Sequence, residues 1–178
     1  AIESAKQHFG NKVVTVQYPI ELGAGFNAVI DLLKMKMYKW SEEGGEPEIT
    51  DIPDNEKDKA EELHNELVEA AAENDDNLME LFFEEGSLNE DQMRDGIKTG
   101  LINNSIFPVF CVSAKKDMGV RRLLEFIGNV APNPSEVKPL ETIEDKEIKC
   151  DPSGAPGLFV FKTTYESHIG EICFFKVI

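Results

Sequence analysis

The sequence predicts an α/β (α+β) fold, and three observations carry that reading. Apolar residues recur every three to four positions over residues 54–103 and again over 120–130, the period of amphipathic helices. Short β-branched and apolar runs, some alternating and some unbroken, lie before, between and after these helices. Gly and Pro clusters such as Gly44-Gly45 and Pro132 separate the segments. The expected arrangement is an antiparallel sheet drawn from residues 13–52 and covered by the helices of 54–103.

Ile2, Ala5 and Phe9, with Gly10 as a stop, read as the end of a helix over residues 1–10. Val13 to Ile20 is a β-branched run, a strand ending at Pro19, and Gly23 and Gly25 mark a loop. From Leu33 to Trp40 the pattern alternates, with Leu33, Met35 and Met37 set against Lys34 and Lys36, a strand with one wet face. Gly44-Gly45 turns into a short strand, Glu48 to Ile52. Pro53 starts the longest helix, with Asp54 or Asn55 as its cap. Ala60, Leu63, Leu67 and Ala71 form its apolar face, and His64 shares that face as a partly buried structural histidine. Asp75 or Asp76 restarts a second helix carrying Leu78, Leu81 and Phe82. Asn89 with Gln92 is a capping-box pattern that opens a third through Met93, Ile97 and Leu101. Gly96 and Gly100 each cost that helix about 1 kcal/mol relative to Ala, so neighbouring structure must support it.

Ile106 to Val112 is a continuous apolar strand of the kind buried on both faces. Its backbone groups need partners, so it is expected to pair with an available sheet edge or within an oligomer contact. Val120, Leu123, Leu124 and Ile127 mark the apolar face of a helix stopped by Pro132. Residues 132–156 hold five prolines and many charges and read as a linker. Leu158 to Phe161 and Ile172 to Ile178 are two further strands joined around Gly170.

The net charge of −16 is concentrated. Between Glu42 and Asp95 there are 21 acidic and 3 basic residues, while the remainder holds 13 acidic and 15 basic. Such a block repels nucleic acid and favours a basic partner, so no direct sequence-specific nucleic-acid binding is expected. No apolar run approaches the roughly 20 residues that span a bilayer, so no membrane partner is expected. Cys111, Cys150 and Cys173 are odd in number and far apart. Two lie in apolar runs and read as buried thiols of a reducing compartment, with Cys111 a core residue. The histidines have no mutual spacing that points to a metal.

Ser113-Ala114-Lys115 leaves the buried strand and precedes an amphipathic helix, the setting of the guanine-side loop in a GTPase. Around it an ordered set of short matches covers about 170 residues. Gln17, Pro19 and Ile20 match Gln-x-Pro-Ile, and Phe26, Val29, Ile30, Asp31, Met35, Lys36 and Trp40 match Phe-x-Gly-Val-Ile-Asp…Met-Lys…Trp, with Ala28 in place of Gly. Leu67 to Glu73 with Leu78-Met79, then Pro108-Val109, Cys111, Ser113-Ala114 and Gly119-Val120, continue the set. Asp151-Pro152, Phe161-Lys162, Gly170 and Phe174-Phe175 complete it. On these residues the chain resembles elongation factor G, a translational GTPase. Val112 replaces a usual Gly, Lys115 a usual Phe or Leu, and Lys98-Thr99-Gly100 an Arg-x-Gly-Thr, departures that point to a divergent elongation-factor-G-like paralogue.

The resemblance implies a division of the chain. Residues 1–12 would be a GTPase-domain helix remnant, 13–105 a subdomain inserted into that domain, and 106–131 the last strand and helix of the P-loop GTPase core. Residues 132–156 would be a linker and 157–178 the first strands of a β-barrel second domain. It implies a cytoplasmic parent that binds and hydrolyses GTP with Mg²⁺ on the ribosome, in translocation or a related step. Ser113, Ala114 and Lys115 would lie along the guanine base, and the exposed Glu62, Glu66, Glu69 and Glu73 would steer the basic domain of the ribosomal stalk protein. The other reading is a non-catalytic acidic docking module for the stalk or another basic protein.

The hydrolytic motifs themselves are missing from the sequence. No Gly-x4-Gly-Lys-Ser/Thr occurs, so nothing cradles the β-phosphate or places a hydroxyl on Mg²⁺. Asp151 to Gly154 spells Asp-x-x-Gly but stands on the wrong side of the guanine loop in chain order, and after Asn11-Lys12 Val14 occupies the place of the base-reading Asp; both read as coincidence. No catalytic or metal-binding residue is therefore assigned. Isothermal calorimetry on residues 1–178 is expected to show no GTP binding tighter than the millimolar range; sub-millimolar binding would contradict this reading.

Overall fold

The chain opens with helix α1 (Ile2–Phe9), stopped where Gly10 turns left-handed at φ 66°. The computed structural model describes residues 2–142, 144 and 146–178; Ala1 of the predicted first helix, and Ile143 and Asp145 of the predicted linker, lie outside the described residues. Two units result, residues 1–131 and 132–178.

In the first unit the expected strand over 13–20 is divided between two sheets. Strand β1 (Val13–Thr15) and strand β2 (Gln17–Pro19) are separated by a bend at Val16. The reason lies in where Val16 bonds: its N–H reaches the carbonyl of Val109 at 3.0 Å, and its own carbonyl accepts from Leu32 at 2.9 Å. It is thus the branch point between sheets. Strand β3 (Ala28–Asp31), which the pattern did not predict, is buried at all four positions and so shows no alternation. The expected strand from Leu33 begins later, as β4 (Lys36–Lys39), because residues 32–35 form the hairpin turn and Met35 is left-handed at φ 50°. Asp31 Oδ1 holds that turn, accepting the N–H of Leu33 at 3.1 Å and of Lys34 at 2.9 Å. With β5 (Glu48–Thr50) the strands form an antiparallel sheet in the order β2-β3-β4-β5.

Helix α2 (Asp54–Ala72) is entered from Pro53, with no side-chain cap, and not from Asp54 or Asn55. Asp54 and Glu56 sit inside its first turn, where carboxylates favour the helix dipole. Asp75 caps helix α3 (Asp76–Glu85), accepting from the N–H groups of Asn77 and Leu78 at 2.9 and 3.1 Å. Helix α4 (Glu90–Ile102) carries the expected capping box, with Asn89 and Gln92 bonded reciprocally at 3.0 and 2.8 Å. Its two glycines are where neighbours come close. A Cβ on Gly96 would lie 2.3 Å from the Ala71 carbonyl oxygen, and one on Gly100 would lie 2.7 Å from Ile106. The entropic cost of glycine is the condition for α2 and α4 to pack backbone to backbone.

Strand β6 (Phe107–Val109) is shorter than predicted and finds its edge within the chain, pairing in parallel with β1 through Val13↔Phe107 and Thr15↔Val109. Helix α5 (Val120–Val130) follows. Its buried stripe is Arg122, Phe126 and Val130, four residues apart, while Leu124 and Ile127 of the expected face are 61% and 49% exposed. The main core joins Ile30, Leu32, Leu67, Met93 and Ile97, and a second cluster joins Val29, Tyr38, Trp40 and Met118.

In the second unit the predicted linker contains a small antiparallel pair, β7 (Leu140–Glu141) and β8 (Glu147–Ile148). Strands β9 (Leu158–Glu166) and β10 (Gly170–Val177) form an antiparallel hairpin, longer than expected, that turns into β10 at Gly170, φ 91°. Its register shifts between Phe174 and Phe175. Most of its side chains are exposed, Cys173 among them, which corrects the reading of that thiol as buried.

Gly96→Ala should destabilise the first unit by about 1–3 kcal/mol through overpacking against Ala71, measured by urea denaturation. If the helix lay free, the same change would stabilise it by about 1 kcal/mol, so the sign decides.

Candidate functional site

Residues 113–119 form a closed turn between β6 and α5. The N–H of Ser113 donates to Met118 O at 2.9 Å and Met118 N–H returns to Ser113 O at 3.1 Å. Lys116 and Asp117 donate to the carbonyls of Ser113 and Ala114 at 3.2 and 3.3 Å, winding Ala114–Lys116 into a 3₁₀ turn. Asp117 and Gly119 then take left-handed conformations, φ 51° and 78°. Three contacts position this turn. Met118 is fully buried beside Val29, Tyr38 and Trp40. Gly119 passes the Cys111 carbonyl so closely that a Cβ would sit 2.8 Å from it. Gly44, left-handed at φ 76°, lies so close to the Lys116 carbonyl that any side chain would collide. Ala114 and Lys115 are exposed, and their N–H groups bond to no described residue. The sequence-predicted triplet is therefore presented as a fixed turn with two free backbone donors.

Behind the turn stands a group that sequence reasoning did not assign to a site. Asp31 is fully buried, and Arg122 is 5% exposed. Arg122 Nε donates to Asp31 Oδ2 at 2.8 Å and Nη2 reaches Oδ1 at 3.5 Å. Gln17 Nε2 donates to the same Oδ2 at 2.8 Å. Hydrogen bonding and the Asp31 charge outweigh the desolvation of Arg122 and raise its pKa, so it stays charged. Arg122 Nη1 also meets Glu125 at 3.2 Å. The Oε1 of Gln17 is enclosed and has no partner among the described residues.

The acidic residues fall on the outer side of α2 and on its C-cap: Glu62, Glu66 and Glu69 in the helix and Glu73 just after it are all exposed. Glu66, Glu69 and Glu73 border a cleft of about 380 Å³ whose other wall includes Lys6 and Asn11. The ion pairs within this helix lie at its start, Asp54–Lys57 at 2.6 Å and Glu56–Lys59 at 3.9 Å. His64 hydrogen-bonds through Nδ1 to the Leu32 carbonyl at 2.7 Å, the structural role expected of it. The triplet and the acidic face are thus separate features of the first unit, on a turn and on a helix.

The remaining sequence features are structural. Asp151 accepts from both the N–H and the hydroxyl of Ser153, at 2.8 and 2.7 Å, a local turn that holds its carboxyl below the usual range. Cys111 is half-buried and donates to the Gln17 carbonyl at 3.5 Å; burial pushes its thiol up, away from reactivity. No helix among the described residues is long and apolar enough to cross a membrane.

No protein-family model matches the chain. Its fold is similar to that in a crystal structure of a Thermus thermophilus protein of unstated function, with a TM-score of 0.72 at 22% identity. The match covers 98% of this chain and 24% of the Thermus chain, so the present sequence spans about a quarter of that protein's length. The likeness shows the fold: a mixed α/β chain with antiparallel sheets and one small parallel pair.

Replacing Asp31 with Asn removes the buried counter-charge of Arg122 and leaves it only the partly exposed Glu125. The expected loss of stability is about 3–5 kcal/mol, read from urea unfolding. Arg121→Gln, at an exposed pair, should change it by less than about 1 kcal/mol.

Proposed function

We propose that the chain is part of an elongation-factor-G-like translational GTPase, a divergent member acting on the ribosome in the cytoplasm. In it, GTP binding and hydrolysis would drive translocation or a related ribosomal step. The observation that carries this reading is the turn at 113–119. It leaves a strand of a parallel pair, offers the free N–H groups of Ala114 and Lys115 on an exposed surface, and runs directly into an amphipathic helix. Two backbone donors on a rigid turn suit the carbonyl edge of a guanine base. Ser113, Ala114 and Lys115 fit that edge alone, since the sequence holds no phosphate loop. Mg²⁺ and the phosphates would be held by other motifs of the parent GTPase. On this reading residues 13–105 are the insertion, β6 and α5 belong to the P-loop GTPase core, and β9–β10 to the opening of a barrel domain.

The acidic insertion favours a second reading as well. Glu62, Glu66, Glu69 and Glu73 on one exposed helix can steer a basic partner such as the ribosomal stalk protein, and this needs no nucleotide. The chain would then be a docking module. A ribosome-dependent GTPase assay on the full-length protein separates the two, because hydrolysis supports the first and binding without hydrolysis supports the second.

Reversing the four glutamates to Lys should slow association with the stalk protein by on the order of tenfold at low salt, the difference shrinking as salt rises. Stopped-flow association at several ionic strengths checks this; equal rates at low salt would remove the acidic face from the proposal.

A further inference from the structure

A cavity of about 480 Å³ lies between strands β4–β5 and the first turn of α5. Trp40 and Tyr38, 4% and 9% exposed, line it with aromatic surface. The Trp40 indole is satisfied, donating to the Gly45 carbonyl at 3.1 Å. Tyr38 differs: its hydroxyl hydrogen-bonds to no described residue and its oxygen is not enclosed, so it is open to a partner in the cavity. Burial, reinforced by the nearby Asp31 charge, pushes that hydroxyl's pKa up, so it stays a proton donor.

The opposite wall is the start of α5. Gly119 is its N-cap and offers no side-chain hydrogen bond, and no acidic residue occupies the first turn. Its unpaired N–H groups carry the positive end of the helix dipole. Arg121 and Arg122 in that turn add charge where the dipole disfavours it. Not all the cations are available. Arg122 is committed to Asp31 and Glu125, and Lys34 to Glu90 at 2.8 Å. Arg121 pairs with Glu46, but both are nearly four-fifths exposed, a pair easily opened. Of the acids lining the cavity, Glu125 is engaged by Arg122, Glu46 can turn to solvent, and Asp117 is exposed.

We propose that this cavity is a binding site for a small organic anion, a carboxylate or phosphate on a flat apolar body. The anionic group would lie at the α5 terminus between Arg121 and the Tyr38 hydroxyl, and the apolar body against Trp40. The site does not depend on the GTPase reading.

Trp40 is the chain's single tryptophan, so its fluorescence reports the site directly. Phenyl phosphate and benzoate are the probes for the two anion types; trimethylphenylammonium is the cationic control. Saturable fluorescence change is expected with at least one anion and none with the cation. Tyr38→Phe and Arg121→Gln should each weaken the better probe at least fivefold, with unchanged circular dichroism. No saturable change with either anion, equal binding of the cation, or wild-type affinity in both variants would overturn the proposal.

Discussion

The buried carboxylate of Asp31 is the point on which the first unit turns. One side chain accepts from Gln17 on β2, from two backbone N–H groups of the hairpin turn, and from the guanidinium of Arg122 on α5. A buried ion pair adds little net stability over a well-packed apolar substitute, because desolvation offsets attraction. Its geometric demand is the larger effect. With a charge on each side and almost no water, the pair tolerates one relative placement of sheet and helix. The helix that follows the 113–119 turn is thereby held against the β2–β5 sheet, and Met118 and Gly44 complete the hold from the turn itself.

Local signals in the sequence survived into the structure where the physics is local. The Asn89–Gln92 box and the stop at Gly10 rest on contacts within a few residues, and each formed; the apolar stripe of α2 formed as well, packed against α4. Signals failed where distant partners decide. β3 is buried on both faces and shows no alternation. Val16 divides one β-branched run between two sheets because its two hydrogen-bond partners lie in different strands' surroundings. On α5, hydropathy favoured Leu124 and Ile127, yet the inward stripe contains Arg122, whose burial depends on a carboxylate 91 positions away in sequence.

The same distinction governs the candidate sites. The strand, turn and helix around Ser113 to Lys115 were legible because they are contiguous. The acidic face was legible as composition and helical spacing. The Tyr38 cavity was not, since its defining property is a hydroxyl that folding leaves open and with no partner among the described residues, which no spacing encodes.

The chain leaves the parallel pair at Val16 and rejoins it at Phe107, and the pairing Val13↔Phe107 sets those two points one short strand apart. A segment whose ends lie that near behaves as a cassette, and its length can drift over generations without prising the flanking strands apart. The Arg122 guanidinium limits that freedom. Its counter-charge lies inside the cassette, so shortening that removed Asp31 would strand a cation in the flanking core. Lineages could trim helix α3, which has no fully buried residue, while the first hairpin would have to persist or be lost together with the arginine.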